Sequence, residues 1–503
     1  MDRGRYTRGT KGGRKGPKFL CFFVLLIVPF AVCSPAQDLG LRMIVIKTEA
    51  EARELRGRIQ KGVSFEELAK QYSTDTSATA GGYLGTFAFA DLRKDFQDGL
   101  SGLRSGDVSP VLPQNGDYVL LQLLNEDEAR WLEQMAAGRR AFQQKQYAEA
   151  ERLFQASIGQ AERFGPNDAR LGTSLNALGV VYFDETNYAA AEPLFKRALT
   201  IREEALGPEH PDVGATLNNL AEIYWSQKNY AAAEPLYTRA LGILEKTLGR
   251  DHPNVGDGLN NLAALYRDQG NYAAAEPLYK RSFAIAEKAF GPEHSNVGAA
   301  LVNLAGLYHD ERNYAEAEAA YKRALAIYEK AFGPEHLSVR ERIVDLAELY
   351  QDQGNSIAAA PLYERALAIL EKNEGSNHPN VAASLVNLAV LYQNDGNYSS
   401  AEPLYKRALA IYEKALGPEH PNLAGTLVNV ALFYQEQGNY AAAEPLYAQA
   451  LAIYEKAFGS DSPRVAVTLQ GMAELLKKSG RTTDAEKMEF RARSIQAMPK
   501  KSR

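Results

Sequence analysis

The chain has 503 residues, 45% of them hydrophobic and 24% charged. That is too long for one hydrophobic core and too apolar for a disordered chain. A net charge of −5 hides an asymmetry: residues 1–36 carry seven Lys/Arg against one acid, a net of +6, which leaves −11 for the remainder. An acidic body lacks the electrostatic footprint that a phosphate backbone requires, so nucleic acid is excluded as a partner.

The first 36 residues read as an export signal. A basic stretch leads into Phe19–Val32, an apolar run of 14 residues, and then into Ser34-Pro35-Ala36, small residues suited to a signal peptidase. The run is short for a bilayer, which needs about 20 residues, so membrane association is expected only if this segment stays uncleaved as an anchor. Both cysteines, Cys21 and Cys33, lie inside it. Cleavage before Gln37 leaves an exported protein, periplasmic or otherwise extracytoplasmic, with no thiol to mispair.

Residues 41–124 predict a small α+β domain. Met43–Ile46 is a short apolar strand. Thr48-x-x-Glu51 and Ser64-x-x-Glu67 are capping boxes opening helices that run to about Gln60 and Tyr72. Gly81-Gly82-Tyr83-Leu84-Gly85 reads as a loop, and Asp91–Leu100 as a third helix. Ser109–Leu112 and Tyr118–Leu123 read as strands flanking the tight-turn pair Asn115-Gly116. The segments KTEAEA, FEELAKQYSTD, GGYLGTF, Asp95-Phe96 and S-G-D-V-S-P-V resemble the parvulin family of peptidyl-prolyl isomerases. That resemblance implies a proline pocket walled by Met43, Leu92 and Phe96, and a polar group at Asp75. It also implies histidines in the first and last strands, but Met43 and Tyr118 occupy those places, and Tyr118 offers only a hydroxyl. Asp75 and Tyr118 are therefore the candidate catalytic residues. Isomerase activity and a binding-only domain both stay open, with Xaa-Pro segments as the implied ligand.

From about 131 to 495 the chain repeats itself. Asn-Tyr recurs at 187, 229, 271, 313, 397 and 439, with Asn355-Ser356 in the same register. GPEH or its variants recur from 207 to 420 at the same period of 42 residues. Within one unit Val213, Leu217, Leu220, Ala221 and Tyr224 share a helix face. Asn229 ends that helix and caps a second, which buries Ala233, Leu236, Tyr237, Ala240, Leu241 and Leu244. Two such short helices bury their apolar faces only by stacking on neighbouring units. The LNNLAxxY, NYAAAEPLY and RALxI segments resemble the tetratricopeptide repeats of kinesin light chains. The fold class expected is therefore mainly α: a right-handed α-solenoid of about nine tetratricopeptide helix pairs after the α+β domain, with a polar-faced last pair and a basic tail, 496–503. Six prolines, Pro193, Pro235, Pro277, Pro361, Pro403 and Pro445, fall early in the second helices and should bend them.

Three ladders follow from the period. Six histidines, His210 to His420, stand 42 residues apart. Spread one per repeat they cannot share an ion at about 2 Å ligand distances, so they are read as turn and helix-start residues, and neither metal nor cofactor is expected. Asn219, Asn261, Asn303, Asn387 and Asn429 lie at the core's edge on the first helices, with Asp345 standing in at the sixth repeat. They either brace neighbouring helices or clamp the backbone of a protein or extended peptide in the groove. Arg197, Arg239, Arg281, Arg323, Arg365 and Arg407 form a basic ladder that either receives acidic groups of a ligand or, as read here, makes ion pairs to neighbouring acids. The whole reads as an exported protein-binding foldase or chaperone, a parvulin-like isomerase fused to a peptide-binding solenoid. The alternative is a non-catalytic scaffold whose small domain only docks.

Overall fold

The structure, a computed structural model, describes residues 38–497. The expected export signal and nearly all of the basic tail lie outside these residues. The chain divides into two compact units at Asn219/Leu220.

The first unit opens with the α+β domain: β1 (Asp38–Ile46), α1 (Glu49–Gln60), α2 (Phe65–Tyr72), β2 (Tyr83–Ala88), α3 (Lys94–Leu100), β3 (Leu112–Gln114) and β4 (Asp117–Leu123). The strands form one antiparallel sheet in the order β2-β1-β4-β3. Alternation along β1 and β4 makes two cores. Ile44, Ile46 and Leu120 pack under α1 and α2 with Leu55, Phe65 and Leu68. Leu41, Met43, Val119 and Leu121 face α3 with Phe96 and Leu100. Both capping boxes form as expected, Thr48 accepting from the Glu51 N–H and Ser64 from that of Glu67. Asn115 and Gly116 both take positive φ in the β3–β4 turn.

Three local expectations need correction. The segment read as a loop at Gly81–Gly85 is a turn at Gly81-Gly82 followed by strand β2, which pairs with Asp38–Arg42. Gly82 is needed there because φ is +79° and a Cβ would stand 2.4 Å from the Met43 carbonyl oxygen. The strand expected at Ser109–Leu112 begins only at Leu112, because Pro110 has no N–H to give a ladder. The third helix starts at Lys94, a 3₁₀ turn occupying Phe89–Asp91.

The remaining described chain is eighteen helices in nine pairs. They are α4 (Glu126–Gln143) and α5 (Tyr147–Ala161), α6 (Ala169–Asp184) and α7 (Tyr188–Leu206), α8 (Pro211–Ser226) and α9 (Tyr230–Leu248), α10 (Pro253–Asp268) and α11 (Tyr272–Phe290), α12 (Ser295–Asp310) and α13 (Tyr314–Phe332), α14 (Leu337–Asp352) and α15 (Ser356–Glu374), α16 (Pro379–Asn394) and α17 (Tyr398–Leu416), α18 (Pro421–Glu436) and α19 (Tyr440–Phe458), α20 (Pro463–Lys478) and α21 (Thr482–Ala497). The first pair begins at Glu126 rather than 131, so no linker separates it from β4.

Each signature residue has a local job. The histidines sit just before the first helices, and the Nδ1 atoms of His252, His294, His336, His378 and His420 accept the N–H two residues on. This satisfies a donor that the helix leaves orphaned. Asn187, Asn271, Asn355, Asn397 and Asn439 cap the second helices in the same way. Those helices continue through their prolines. In the second unit, tyrosines of one first helix donate back to the preceding second helix: Tyr266 to Glu234 at 2.9 Å, Tyr350 to Glu318 at 2.9 Å. Arg281, Arg323, Arg365 and Arg407 pair with Glu245, Glu287, Glu329 and Glu371 on the second helix of the preceding pair, each at 2.5 Å. Arg197 does so with Glu162 in the first unit, at 3.2 Å. The last helix does not present the wholly polar face expected of a cap, since Phe490 is 75% exposed.

Candidate functional site

Two places in the molecule gather the residues singled out by sequence. The first is a cavity of about 710 Å³ in the second unit. It is floored by first helices α16, α18 and α20, with Tyr412 and Tyr454 contributed by α17 and α19. Asn387 and Asn429 line it beside Val386, Val428 and Val467, the last 60% exposed. Its lining contains no carboxylate and one cation, Arg464. A second cavity of about 380 Å³ shares Ala383 and Asn387 with the first and extends to Arg340 on α14.

The asparagine ladder therefore divides. Asn387 and Asn429 face open space with donor and acceptor free to meet a ligand. Asn219 instead donates to the Asn176 side chain at 3.1 Å, a brace between neighbouring first helices of the first unit. Asn261 and Asn303 are half-buried on α10 and α12 and border neither cavity. Asp345 meets Arg342 at 3.2 Å on its own helix. Arg340 and Arg464 did not stand out in the sequence reading. The signal that finds them is departure from the repeat, since the position of Arg340 holds Gly or Ala in the other first helices from α8 on, and that of Arg464 holds Asn, Asp or Ser.

The second place is the α3 side of the sheet. Met43, 2% exposed, and Phe96 are buried there, with Leu92 packed against them. Gln97 holds the Leu92 carbonyl at 2.7 Å, and Gly99 lets α3 close onto Leu112. Beyond Arg42, where β2 leaves β1, residues 73–82 stitch themselves to the vacated edge. The Ser73 hydroxyl accepts from the Val45 N–H at 3.0 Å, Thr74 N–H donates to the Val45 carbonyl at 2.9 Å, and Met43 N–H donates to the Gly82 carbonyl at 2.8 Å. Asp75 sits in this segment, its carboxylate accepting the Ser77 N–H at 2.8 Å.

Tyr118 is not brought to the same face. It pairs in register with Ile46 and packs with the α1–α2 core, while its neighbour Val119 joins Met43. Side chains in a strand alternate, so Tyr118 and Met43 lie on opposite faces of the sheet. The face bearing Met43 is lined by apolar side chains.

The domain is also anchored to the first helix pair. Arg42, 5% exposed, meets Glu66 at 3.2 Å and Glu128 of α4 at 3.3 Å. The Tyr83 hydroxyl donates to the Ala129 carbonyl at 3.3 Å, and a Cβ on Gly40 would stand 2.3 Å from that of Ala129.

Comparison with known proteins agrees with this division. The tetratricopeptide repeat family matches in overlapping windows from 127–204 through 422–497, and a PPIC-type PPIASE (rotamase) domain matches at 46–125. Over 79 residues the chain is 43% identical to foldase protein PrsA 1 of Bacillus cereus, covering 15% of this chain and 28% of that protein. Over 120 residues it is 34% identical to chaperone SurA of Thiobacillus denitrificans, covering 22% and 28%. The chain thus spans under a third of either relative. Among solved structures, the nearly identical TPR-like repeats attributed to a Podosopora anserina kinesin light chain are 31% identical, covering 41% of this chain and 98% of that one, with a TM-score of 0.38. Among the described residues no helix is long and apolar enough to cross a membrane.

Proposed function

The chain belongs to the tetratricopeptide-repeat family, and from that premise we propose that it is an exported, protein-binding foldase. In this reading the groove holds an extended segment of a client or partner protein while the parvulin-like domain works on its Xaa-Pro bonds. What supports the binding half is the open cavity carrying Asn387 and Asn429. What supports the isomerase half is the apolar wall of Met43, Leu92 and Phe96 with Asp75 on the adjoining edge segment. An apolar pocket that grips proline in a twisted amide lowers part of the rotation barrier of roughly 18–20 kcal/mol. Asp75 supplies the polar group that favours the twisted state.

A protease-coupled assay on a Xaa-Pro peptide tests this with the full chain. The expected result is a rate above the uncatalysed tens to hundreds of seconds, reduced by Asp75→Asn, which keeps an acceptor for Ser77 and so spares the turn. One observation favours the scaffold reading: the face that would hold the twisted amide has Met43 where the family's first histidine stands, and Tyr118 faces away from it. A wild-type rate equal to the uncatalysed one leaves the domain as a docking module. Export is tested by N-terminal sequencing of the native protein, which should begin near Gln37; an intact Met1 or Asp2 would refute cleavage.

A further inference from the structure

The two linked cavities carry a charge pattern that the repeat does not explain. The ladder arginines Arg281, Arg323, Arg365 and Arg407 are all ion-paired. Arg340 and Arg464 have no carboxylate partner among the described residues. Arg340 donates to the Ser384 hydroxyl at 3.2 Å, and its Nε is buried with no acceptor. Arg464 lies over the rings of Tyr454 and Phe458, at 5.9 and 4.7 Å. The acids bordering the smaller cavity are already engaged: Glu341 with Arg342 at 3.3 Å, and Glu374 with the Asn380 side-chain amide at 2.9 Å. The larger cavity has no acid in its lining. Both arginines stand at positions that hold no basic residue in the other repeats from α8 on, in a body whose net charge is strongly negative.

We propose that this stretch of the groove, from α14 to α20, selects an acidic peptide segment. Arg340 and Arg464 each receive a carboxylate of the ligand, and Asn387 and Asn429 hold the backbone between them. Guanidinium suits this task because it stays charged and offers several donors to one carboxylate. Val467 and the two tyrosines give apolar residues of the same segment something to cover. This deepens the groove reading and rests on it.

The test uses the full chain and labelled peptides of roughly ten residues, whose extended reach is about 33 Å: alternating Leu-Glu, its Leu-Gln counterpart, and fluorescence anisotropy as readout. Leu-Glu should bind about tenfold or more tighter than Leu-Gln, a preference that shrinks as salt rises. Arg340→Ala with Arg464→Ala should erase the preference, so that the two peptides bind alike. Arg340→Lys with Arg464→Lys should keep part of it, which guards against misfolding of the alanine variant. Arg365→Ala, outside the cavities, should keep all of it. Equal binding of the two peptides, or a preference that survives loss of both arginines, overturns the proposal. Failure of the groove itself reads differently: Asn387→Ala with Asn429→Ala would then leave both peptides' binding unchanged, or neither peptide would bind.

Discussion

At Arg202 the array carries a guanidinium, 5% exposed, where the same position holds Leu244 and Leu370 in two other repeats. It donates to the Asp212 carbonyl at 2.9 Å and the Thr216 hydroxyl at 2.7 Å, but its Nε meets no acceptor and burial pushes its pKa down. A buried charge with neutral partners recovers little of its desolvation cost. Arg202→Leu should therefore leave the melting temperature unchanged or raise it; a fall of several degrees would mean the guanidinium bridge is net stabilising. Glu222 is the acidic counterpart. Burial pushes its carboxyl up, so the folded chain holds a proton there that the unfolded chain releases. Stability then falls as pH rises from about 4.3 through the raised folded value, and the loss is complete above it. Glu222→Gln should melt higher than wild type at neutral pH, the difference fading as the solution is acidified below that window. A pH-independent difference would rule out titration as its cause.

Among the elements, α4 does two jobs. It is the first helix of the repeat array, and through Glu128 and Ala129 it completes the α+β domain. A fragment ending at Leu124 leaves Arg42 without Glu128 and strips the cover from Gly40. We expect it to unfold at lower denaturant than a fragment extended through Ala161, since the buried Arg42 keeps only Glu66 as a partner. Circular dichroism titrations of the two fragments compare them directly, and equal midpoints would show that the domain closes without α4. The capping boxes, the Asn115-Gly116 turn and the two domain helices were legible in sequence because each depends on residues three or four apart. Strand β2 was not, because its edge place beside β1 is a long-range pairing that the Gly-Gly turn permits and no local pattern announces.

For the whole molecule, stability should be close to a sum of pairs and nearest-neighbour contacts. Deleting residues from 462 onward removes α20 and α21 and bares Ala431, Ala443 and Tyr447, which they cover. Hydrogen exchange should then quicken in α18 and α19 while α4–α7 keep their protection. Loss of protection across the whole array would show long-range cooperativity instead of nearest-neighbour stacking. Phe490→Ser should cost almost nothing, since that side chain is already solvated.

By itself the sequence determined the repeat, its 42-residue period, its helix starts and caps, and the family of each part, because periodic burial and local hydrogen bonds are written in short-range spacing. For the arginine ladder it favoured ion pairs to neighbouring acids over acidic groups of a ligand, and the structure supplied the partners of Arg281, Arg323, Arg365 and Arg407. The tertiary structure alone decided which ladder members do what. Asn219 meets Asn176 while Asn387 lines a cavity, although they share one repeat position, because the neighbours they meet differ from repeat to repeat. It placed Tyr118 behind the sheet, since strand register depends on which partner a strand finds and not on its own residues. And it brought Arg340 and Arg464, 124 residues apart in sequence, to the lining of two cavities that share Asn387. Only the stacking of repeats can make such a juxtaposition.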